Sequence, residues 1–447
     1  MSGVDRISAL PEELKVSILS LLTITDAVRT SVLSRSWCRL WTFLPGLRID
    51  RAFLDSLRFS KGPDVDLESG TPPWIGIVEH LLSSFCGPIR YFTLSNYYHF
   101  DELHLNGFVD LIFQKCGLQK LSITKRDLPQ LACYSSLKDL CLDCVRVSIP
   151  TDFQGFDQLT TLKLYRVFIS QRDINVLVNQ SKKLTSFLQG EGFRSLDFDK
   201  KLSVTFNCPL LKSISFQFEI FQFQRFRVDA RIVSAPCLES VCVSIKNNAS
   251  SPKKLAFLVE PIMKFMADIA HVCDLYLDPL VIECLSVLYV VDELHTFRVH
   301  FHQLRCLKLD AQRFWTERRM FEIFCHLLRS MPCLNQLQIM DYDPVKDVEL
   351  LVDPIPPNKY MKKQDGFHCL DQTLTRVEVY MDKLTNLNHI MWMMYLFLFS
   401  AKVLELLKIT FSEGDPRVIS RITSEELFAV EKASLNAKVV EEDWETG

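Results

Sequence analysis

One short pattern returns along most of this chain and narrows sharply what it can fold into. The pattern is L-x-x-L-x-L, with any aliphatic or aromatic side chain allowed at L. Its copies begin at Ile89, Leu118, Leu137, Leu159, Leu184, Leu211, Leu238, Val272, Leu304, Leu334, Leu374 and Leu404. The clearest are Leu137-Leu140-Leu142, Leu159-Leu162-Leu164, Leu304-Leu307-Leu309 and Leu334-Leu337-Ile339; Leu184 heads a poor copy, with Gln189 at its third apolar position. Successive starts differ by 29, 19, 22, 25, 27, 27, 34, 32, 30, 40 and 30 residues, an irregular period mostly in the range of stacked repeats. Each copy reads as a short strand with alternate side chains pointing inward, followed by a return segment. No such unit closes a core alone. Neighbours must stack, pairing their strands into a parallel sheet on a concave face and merging the aliphatic positions into one ladder.

That register requires the intervening strand positions to be mostly polar. They read Asp139, Cys141, Asp143; Thr161, Lys163, Tyr165; Ser213, Ser215, Gln217; Ser240, Cys242, Ser244; Cys306, Lys308, Asp310; and Arg376, Glu378, Tyr380. An ordinary α/β domain has apolar strands too, but not one spaced motif at a dozen sites. The expected fold is therefore an α/β leucine-rich-repeat solenoid. Helical returns are expected at 174–178, 255–272 and 314–331, the last with Phe321, Phe324, Leu327 and Leu328 on one side. The stretch from Lys61-Gly62-Pro63-Asp64 through Gly70 to Pro72-Pro73 has the chemistry of a linker.

Ahead of the repeats, residues 5–45 read as a compact helical module. Pro11 suits a helix start, Glu12 and Glu13 favour its N-terminal dipole, and Leu10, Leu14, Ile18 and Leu22 recur every four residues. Residues 23–26 break the run. A second helix carries Ala27, Val28, Val32 and Leu33, and Ser34 can cap a third with Trp37 and Trp41 one turn apart. Of these 41 residues 20 are apolar, with Leu19 and Leu21 widening the apolar surface beyond one stripe. So small a unit cannot bury them all alone, and either the rest of the chain or another protein must cover the surplus.

The residues of this module, Asp5-Arg6-Ile7-x-x-Leu10-Pro11, Ile18-Leu19-x-x-Leu22 and the run from Asp26 through Ser34-Arg35-x-Trp37-x-x-Leu40-Trp41, resemble a plant-type F-box over nearly its whole length. Ser36 departs from the Lys/Arg-Arg-Trp run usual there, standing where the family has its second basic or polar residue. The C-terminal part, with Cys369-Leu370, Leu374-x-x-Val377-Glu378-Val379, a buried helical stretch through Leu398 and Ala401-x-Val403-Leu404-Glu405-x-Leu407-Lys408-Ile409, resembles the FBD segment of plant F-box/FBD/LRR-repeat proteins; Met381-Asp382-Lys383-Leu384 replaces the usual Gly-containing loop. The resemblance implies a small three-helix F-box at 1–46, a linker at 47–75, leucine-rich repeats at 76–364 and an FBD-like segment at 365–447 that continues the solenoid.

What the resemblance implies about function is recruitment. The F-box would dock on a Skp-type adaptor and, through it, a cullin and RING subunit, while the repeat face captures an unidentified target protein for ubiquitination. Carried over residue by residue, the adaptor contacts are Leu10, Pro11, Ile18, Leu19, Leu22, Val32, Leu33, Trp37 and Trp41; spacing does not say which of these face the partner and which fill the module. Among outward strand residues Lys163, Tyr165, Lys308, Arg376 and Tyr380 are the expected target anchors, since Arg and Tyr often dominate interfaces. Two rivals are a non-degradative scaffold whose helical module caps the solenoid, and a small-molecule hydrolase built on the repeats.

Composition bears on the alternatives. The 447 residues are 48% apolar and 23% charged, enough for a large core, and 51 Lys and Arg against 54 Asp and Glu disfavour a nucleic-acid or anionic-membrane binder. Fifteen scattered cysteines with no secretory segment in view suggest a reducing compartment, the cytoplasm or nucleus. The longest apolar run, from Ile390 to Ala401, is about half a bilayer span and reads as a buried helix. Only 14 glycines are present and no phosphate-cradling loop stands out. Cys141 and Cys144 form a lone C-x-x-C, His300 and His302 would share one strand face, and Asp341-x-Asp343 falls in a turn; none reaches a full ligand or catalytic set, so no catalytic residue, cofactor or metal is expected.

Overall fold

A computed structural model of the chain describes residues 7, 9–58, 73–95, 117–124, 136–195, 201–220, 227–247, 255–290, 299–310, 318–341, 367–381, 396–398, 400–411, 434 and 436–443. They fall into two compact units, Met1–Leu202 with Asn207–Leu211, and Ser203–Phe206 with Lys212–Gly447.

In the first unit the opening module begins with helix α1 (Glu12–Leu19), preceded by Pro11 at φ −53° and ψ 151°. Its inward residues are Lys15 and Leu19. Thr23 caps helix α2 (Ile24–Arg29): its Oγ1 accepts the Asp26 amide at 3.2 Å while donating to the Asp26 carboxylate at 2.8 Å. Residues 23–26 thus start a helix as well as ending one, a capping arrangement that leaves fewer orphan amides. The expected third helix differs. Residues 30–32 and 40–43 are single 3-10 turns, and the Trp37 amide bonds back to the Ser34 carbonyl at 3.0 Å, three residues away. Ser34 and Ser36 bond each other through their hydroxyls at 2.8 Å, and such serine side chains compete with α-helical backbone pairing.

The sheet of this unit runs β1 (Gly46–Ile49), β2 (Tyr91–Ser95), β3 (Lys120–Thr124), β4 (Asp139–Asp143), β6 (Thr161–Tyr165) and β8 (Ser186–Gln189), every neighbouring pair parallel. The small strands β5 (Arg146–Val147), β7 (Phe168–Ile169) and β9 (Arg194–Ser195) form a second parallel ladder beside it. Between each long and small strand the chain turns a left-handed corner, at Cys144 (φ 54°), Arg166 (φ 49°) and Gly192 (φ 76°). The repeat therefore extends to backbone conformation, and non-glycine residues hold it at two of three corners.

β1 corrects the expected linker. Leu44-x-x-Leu47-x-Ile49 is one more copy of the repeat, all three side chains buried, with Gly46 paired to Tyr91 and Ile49 to Leu94. Helices α3 (Arg51–Arg58) and α4 (Pro73–Ser84) occupy most of the remaining described residues of 47–75 and the stretch after it. A single short copy, broken by Pro45 and Gly46, is too brief for periodicity to reveal. The return after β7 is helix α5 (Gln171–Gln180), which contains the stretch 174–178 expected to be helical and extends beyond it at both ends.

In the second unit β10 (Lys201–Asn207) supplies its middle residues, and β11 (Ser213–Ile220), β13 (Ser240–Asn247), β14 (Asp274–Leu277), β15 (Cys306–Asp310), β16 (Gln336–Asp341), β17 (Arg376–Met381), β18 (Leu406–Phe411) and β19 (Lys438–Asp443) follow one another as parallel neighbours. β12 (Arg227–Ser234) is antiparallel to β11 and pairs with β10, an irregularity no period announces. The returns α6 (Ala256–Asp268) and α8 (Arg318–Arg329) lie where helices are expected. α7 (Pro279–Val290) is apolar nearly all round, so it gives no amphipathic signal. A five-residue helix, α9 (His368–Gln372), precedes β17.

All twelve repeat-leading residues are buried, and in each copy the long strand begins two residues after the leader. Gln189, the polar exception, is buried and donates to the Gly190 carbonyl at 2.8 Å. Leu396, Phe397 and Leu398 are helical and buried. The rest of the apolar run 390–401, apart from Ser400 and Ala401, and most of the 381–384 connection lie outside the described residues.

Asp278 shows how a return helix is fastened to the sheet. Its carboxylate accepts the Ile245 amide of β13 at 2.9 Å and the Val281 amide at the start of α7 at 3.0 Å. Burial pushes its carboxyl up to about 6 against the opposing effect of those amides, and nearby Asp310 adds to the rise. A carboxyl raised in the folded state binds its proton more tightly there, so stability is greatest below the unfolded value of 3.8 and falls as pH climbs toward 6. Urea unfolding midpoints of wild type and Asp278→Asn should accordingly diverge as pH rises from 4 to 6.5, wild type losing ground; parallel curves would contradict the assignment.

Candidate functional site

Two surfaces are built from the residues singled out by the sequence. The first belongs to the opening module. The i, i+4 stripe of Leu14, Ile18 and Leu22 lies on the solvent side of α1, not against the core, and Leu21 (85% exposed), Val32 (87%) and Leu33 (68%) add to it. Pro11 is exposed and Leu10 half-buried. Isolated exposed leucines are ordinary, but large aliphatic side chains exposed at 14, 18, 21, 22, 32 and 33 leave this short module with much apolar surface in water, which a covering surface would stabilise.

Leu19 and Trp37 belong inside. Both are buried, and the Lys15 ammonium lies 5.9 Å from the Trp37 ring centroid. Lys15 is itself buried, its stem packed inward where a leucine would be expected. Trp41 is half-buried and meets the Phe85 ring edge-on at 6.1 Å, just beyond α4. Leu19 and Trp37 are thus part of the module's interior, and Trp41 joins the module to the first repeats. That joint is reinforced by the Cys86 amide on the Thr42 carbonyl at 2.9 Å and the Thr25 and Ser56 hydroxyls at 2.8 Å.

The second surface is the outward side of the repeat strands, and its five expected anchors are split between the units. In the first unit Lys163 is exposed and Tyr165 half-buried over Gly190, where a Cβ would meet the ring at 2.4 Å. In the second, Lys308 is exposed. Arg376 and Tyr380 do not project freely: Arg376 Nε donates to Glu378 at 2.5 Å and the Tyr380 hydroxyl at 3.0 Å, joined by Gln338 Nε2 from β16 at 2.8 Å. Burial alone would raise the Glu378 carboxyl, but Arg376, Tyr380 and Gln338 outweigh it and hold it below its usual range. Spacing placed these residues in one row and could not show that they bond each other.

The residues considered for chemistry are dispersed. Cys141 stands on β4 and Cys144 at the left-handed corner after it; burial raises both thiols, keeping them protonated. His300 and His302 precede β15 in a loop, not on a strand, with rings stacked at 5.9 Å. Asp341 ends β16 and Asp343 lies outside the described residues. Among the described residues no group of three or more His, Cys, Asp or Glu converges as a metal ion would require, thirteen cysteines are free, and no helix is long and apolar enough to cross a membrane.

Comparison with known proteins agrees with this anatomy. The F-box domain family matches residues 7–48, and the family described as FBD-associated F-box protein At5g56370, LRR repeats, matches residues 99–258. Among relatives from Arabidopsis thaliana, F-box protein At1g60400 is 52% identical over 59 residues, covering 13% of this chain and 15% of its own. F-box/FBD/LRR-repeat protein At2g04230 is 30% identical over 174 residues, 32% of this chain and 37% of its own. Putative F-box/FBD/LRR-repeat protein At5g56810 is 25% identical over 383 residues, 78% of each. In the first two alignments the chain spans well under half of the relative's length. The chain thus carries an F-box followed by leucine-rich repeats, and no catalytic domain is indicated.

The Glu378 cluster makes a direct prediction. A carboxyl held low in the fold contributes stability that is present above its unfolded value of 4.5 and disappears as pH falls. Arg376→Met, by leaving a buried carboxylate short of its main donor, should cost roughly 1–3 kcal/mol at pH 7 and much less near pH 4. Equal unfolding midpoints for mutant and wild type at pH 7 would show that the cluster contributes nothing.

Proposed function

We propose that this plant-type F-box/FBD/LRR-repeat chain is a non-catalytic, substrate-recruiting subunit of a Skp/cullin/F-box ubiquitin ligase. The observation that carries the reading is the uncovered aliphatic surface of the F-box. Ile18, Leu22, Val32 and Leu33, with Leu14 and Leu21 beside them, are the contacts assigned to the Skp-type adaptor, and Leu10 and Pro11 flank them. The adaptor in turn brings the cullin and RING subunit. Leu19 and Trp37 support this surface from beneath, and Trp41 holds it to the repeats.

The mechanism is proximity. The F-box fixes one end of the chain to the ligase, and the repeat strands hold a target protein, so that a target lysine meets the ubiquitin-carrying enzyme at high effective concentration. Bond making belongs to the other subunits. The free cysteines fit residence in the cytoplasm or nucleus.

The test separates recruitment from a scaffold whose F-box only caps the repeats. Full-length chain coexpressed with a Skp-type adaptor should be captured by it. Val32→Asp combined with Leu33→Asp should weaken capture by about 10-fold or more with an unchanged circular dichroism spectrum, because both side chains stand in solvent in the free chain. Trp37→Ala should instead lower the thermal midpoint. Failure of the intact chain to be captured would remove the ligase role.

A further inference from the structure

Among the described residues of the first unit's outward strand rows, every cation but one faces a carboxylate. Registered neighbours across the strands form the rows Gly46, Tyr91, Lys120, Asp139, Thr161, Ser186; then Arg48, Thr93, Ser122, Cys141, Lys163, Leu188; then Ser95, Thr124, Asp143, Tyr165, and Arg48 faces Asp50 at 3.9 Å. Asp139 is paired with Lys120 at 2.9 Å. Asp143 is clamped in a two-pronged contact by Arg166, whose Nε reaches it at 2.8 Å and whose left-handed backbone turns it back over the strand end. Both carboxylates of these rows are thus neutralised by cations of the same face. Lys163, exposed near the middle, makes no ion pair among the described residues.

Its surroundings suit an approaching anion. Two residues on along β6 stands Tyr165, one edge of whose ring lies against Gly190 where a side chain would collide with it, so the close approach restrains the phenol. Burial raises that hydroxyl, with Cys141 and Asp143 adding to the rise, so at neutral pH it remains a donor. Cys141 is likewise held protonated by burial and brings no competing negative charge. Across the row lies Leu188, an apolar neighbour. In the second unit Arg376 is committed to Glu378, and the exposed Lys308 is registered beside Tyr276, whose neighbours include the carboxyls of Asp310 and Asp278, so an anion meets more acidic surroundings there.

We propose that this face receives an acidic segment of the target protein, with one Asp or Glu carboxylate seated on Lys163 and met by the Tyr165 hydroxyl. One uncompensated cation matches one carboxylate. A phosphate, carrying nearly two negative charges, is characteristically met by clusters of arginine, and Arg166 is already occupied. The proposal rests on the target-capturing role given to the repeats above.

The experiment is a displayed random-peptide library selected on the immobilised full-length chain, its Lys163→Glu variant and its Lys163→Arg variant. Wild type and Lys163→Arg should enrich peptides bearing Asp or Glu. Lys163→Glu should lose them, binding the wild-type winners at least about 10-fold more weakly and favouring Lys or Arg instead. Because Lys163 is solvated, unchanged circular dichroism should accompany each variant. Selection of neutral or basic peptides by wild type, the same winners from Lys163→Glu, or no enrichment at all would overturn the proposal. Adaptor capture measured on the same preparations separates the two readings: acidic peptides selected without adaptor capture would leave this surface standing and remove the ligase role.

Discussion

Parallel pairing of one short strand with the next is the interaction on which everything else depends. Within each unit it brings the leaders and inward residues of successive copies side by side, so that Leu140 stands beside Leu162 and Leu337 beside Val377. No copy could bury those side chains alone, and each gains its dry environment only from its neighbours. The same pairing aligns the intervening residues into rows on the other side. A core requirement thus dictates which residues line the outward face.

The F-box is attached by the same physics. Its last residues become β1, so the chain passes from module to sheet without a flexible spacer, and Trp41 against Phe85 adds an aromatic contact across the joint. Within the module the division of labour is unusual. Lys15 and Trp37 fill the interior while leucines of the i, i+4 stripe face water. A helix that buries its lysine and exposes Leu14 and Ile18 is costly unless another surface covers them, and this connects an energetic fact about α1 with the recruiting role proposed for it.

On the strand side, pairing and charge sort the anchors into different duties. Arg376 and Tyr380 hold Glu378 and so stiffen the face of the second unit. Lys163 is exposed and makes no ion pair among the described residues. Residue type alone ranks arginine above lysine at interfaces; here the arginines on these faces are already spent on carboxylates of their own chain.

Periodicity was enough to locate twelve strands, because alternate burial leaves a mark two residues long that survives irregular spacing, and the match of residues 5–41 to the F-box pattern was equally plain. It missed β1, where only one copy stands alone, β12, whose antiparallel turn obeys no repeat, and α7, which is apolar on every side. It placed an α-helix where serines hold 3-10 turns. What a linear pattern encodes is which side chains must leave water. Which partner each then finds, whether Leu19 and Trp37 inside, Leu21 and Val32 outside or Gln338 on Glu378, depends on distances between residues far apart in the chain. Those distances exist only once the strands have stacked.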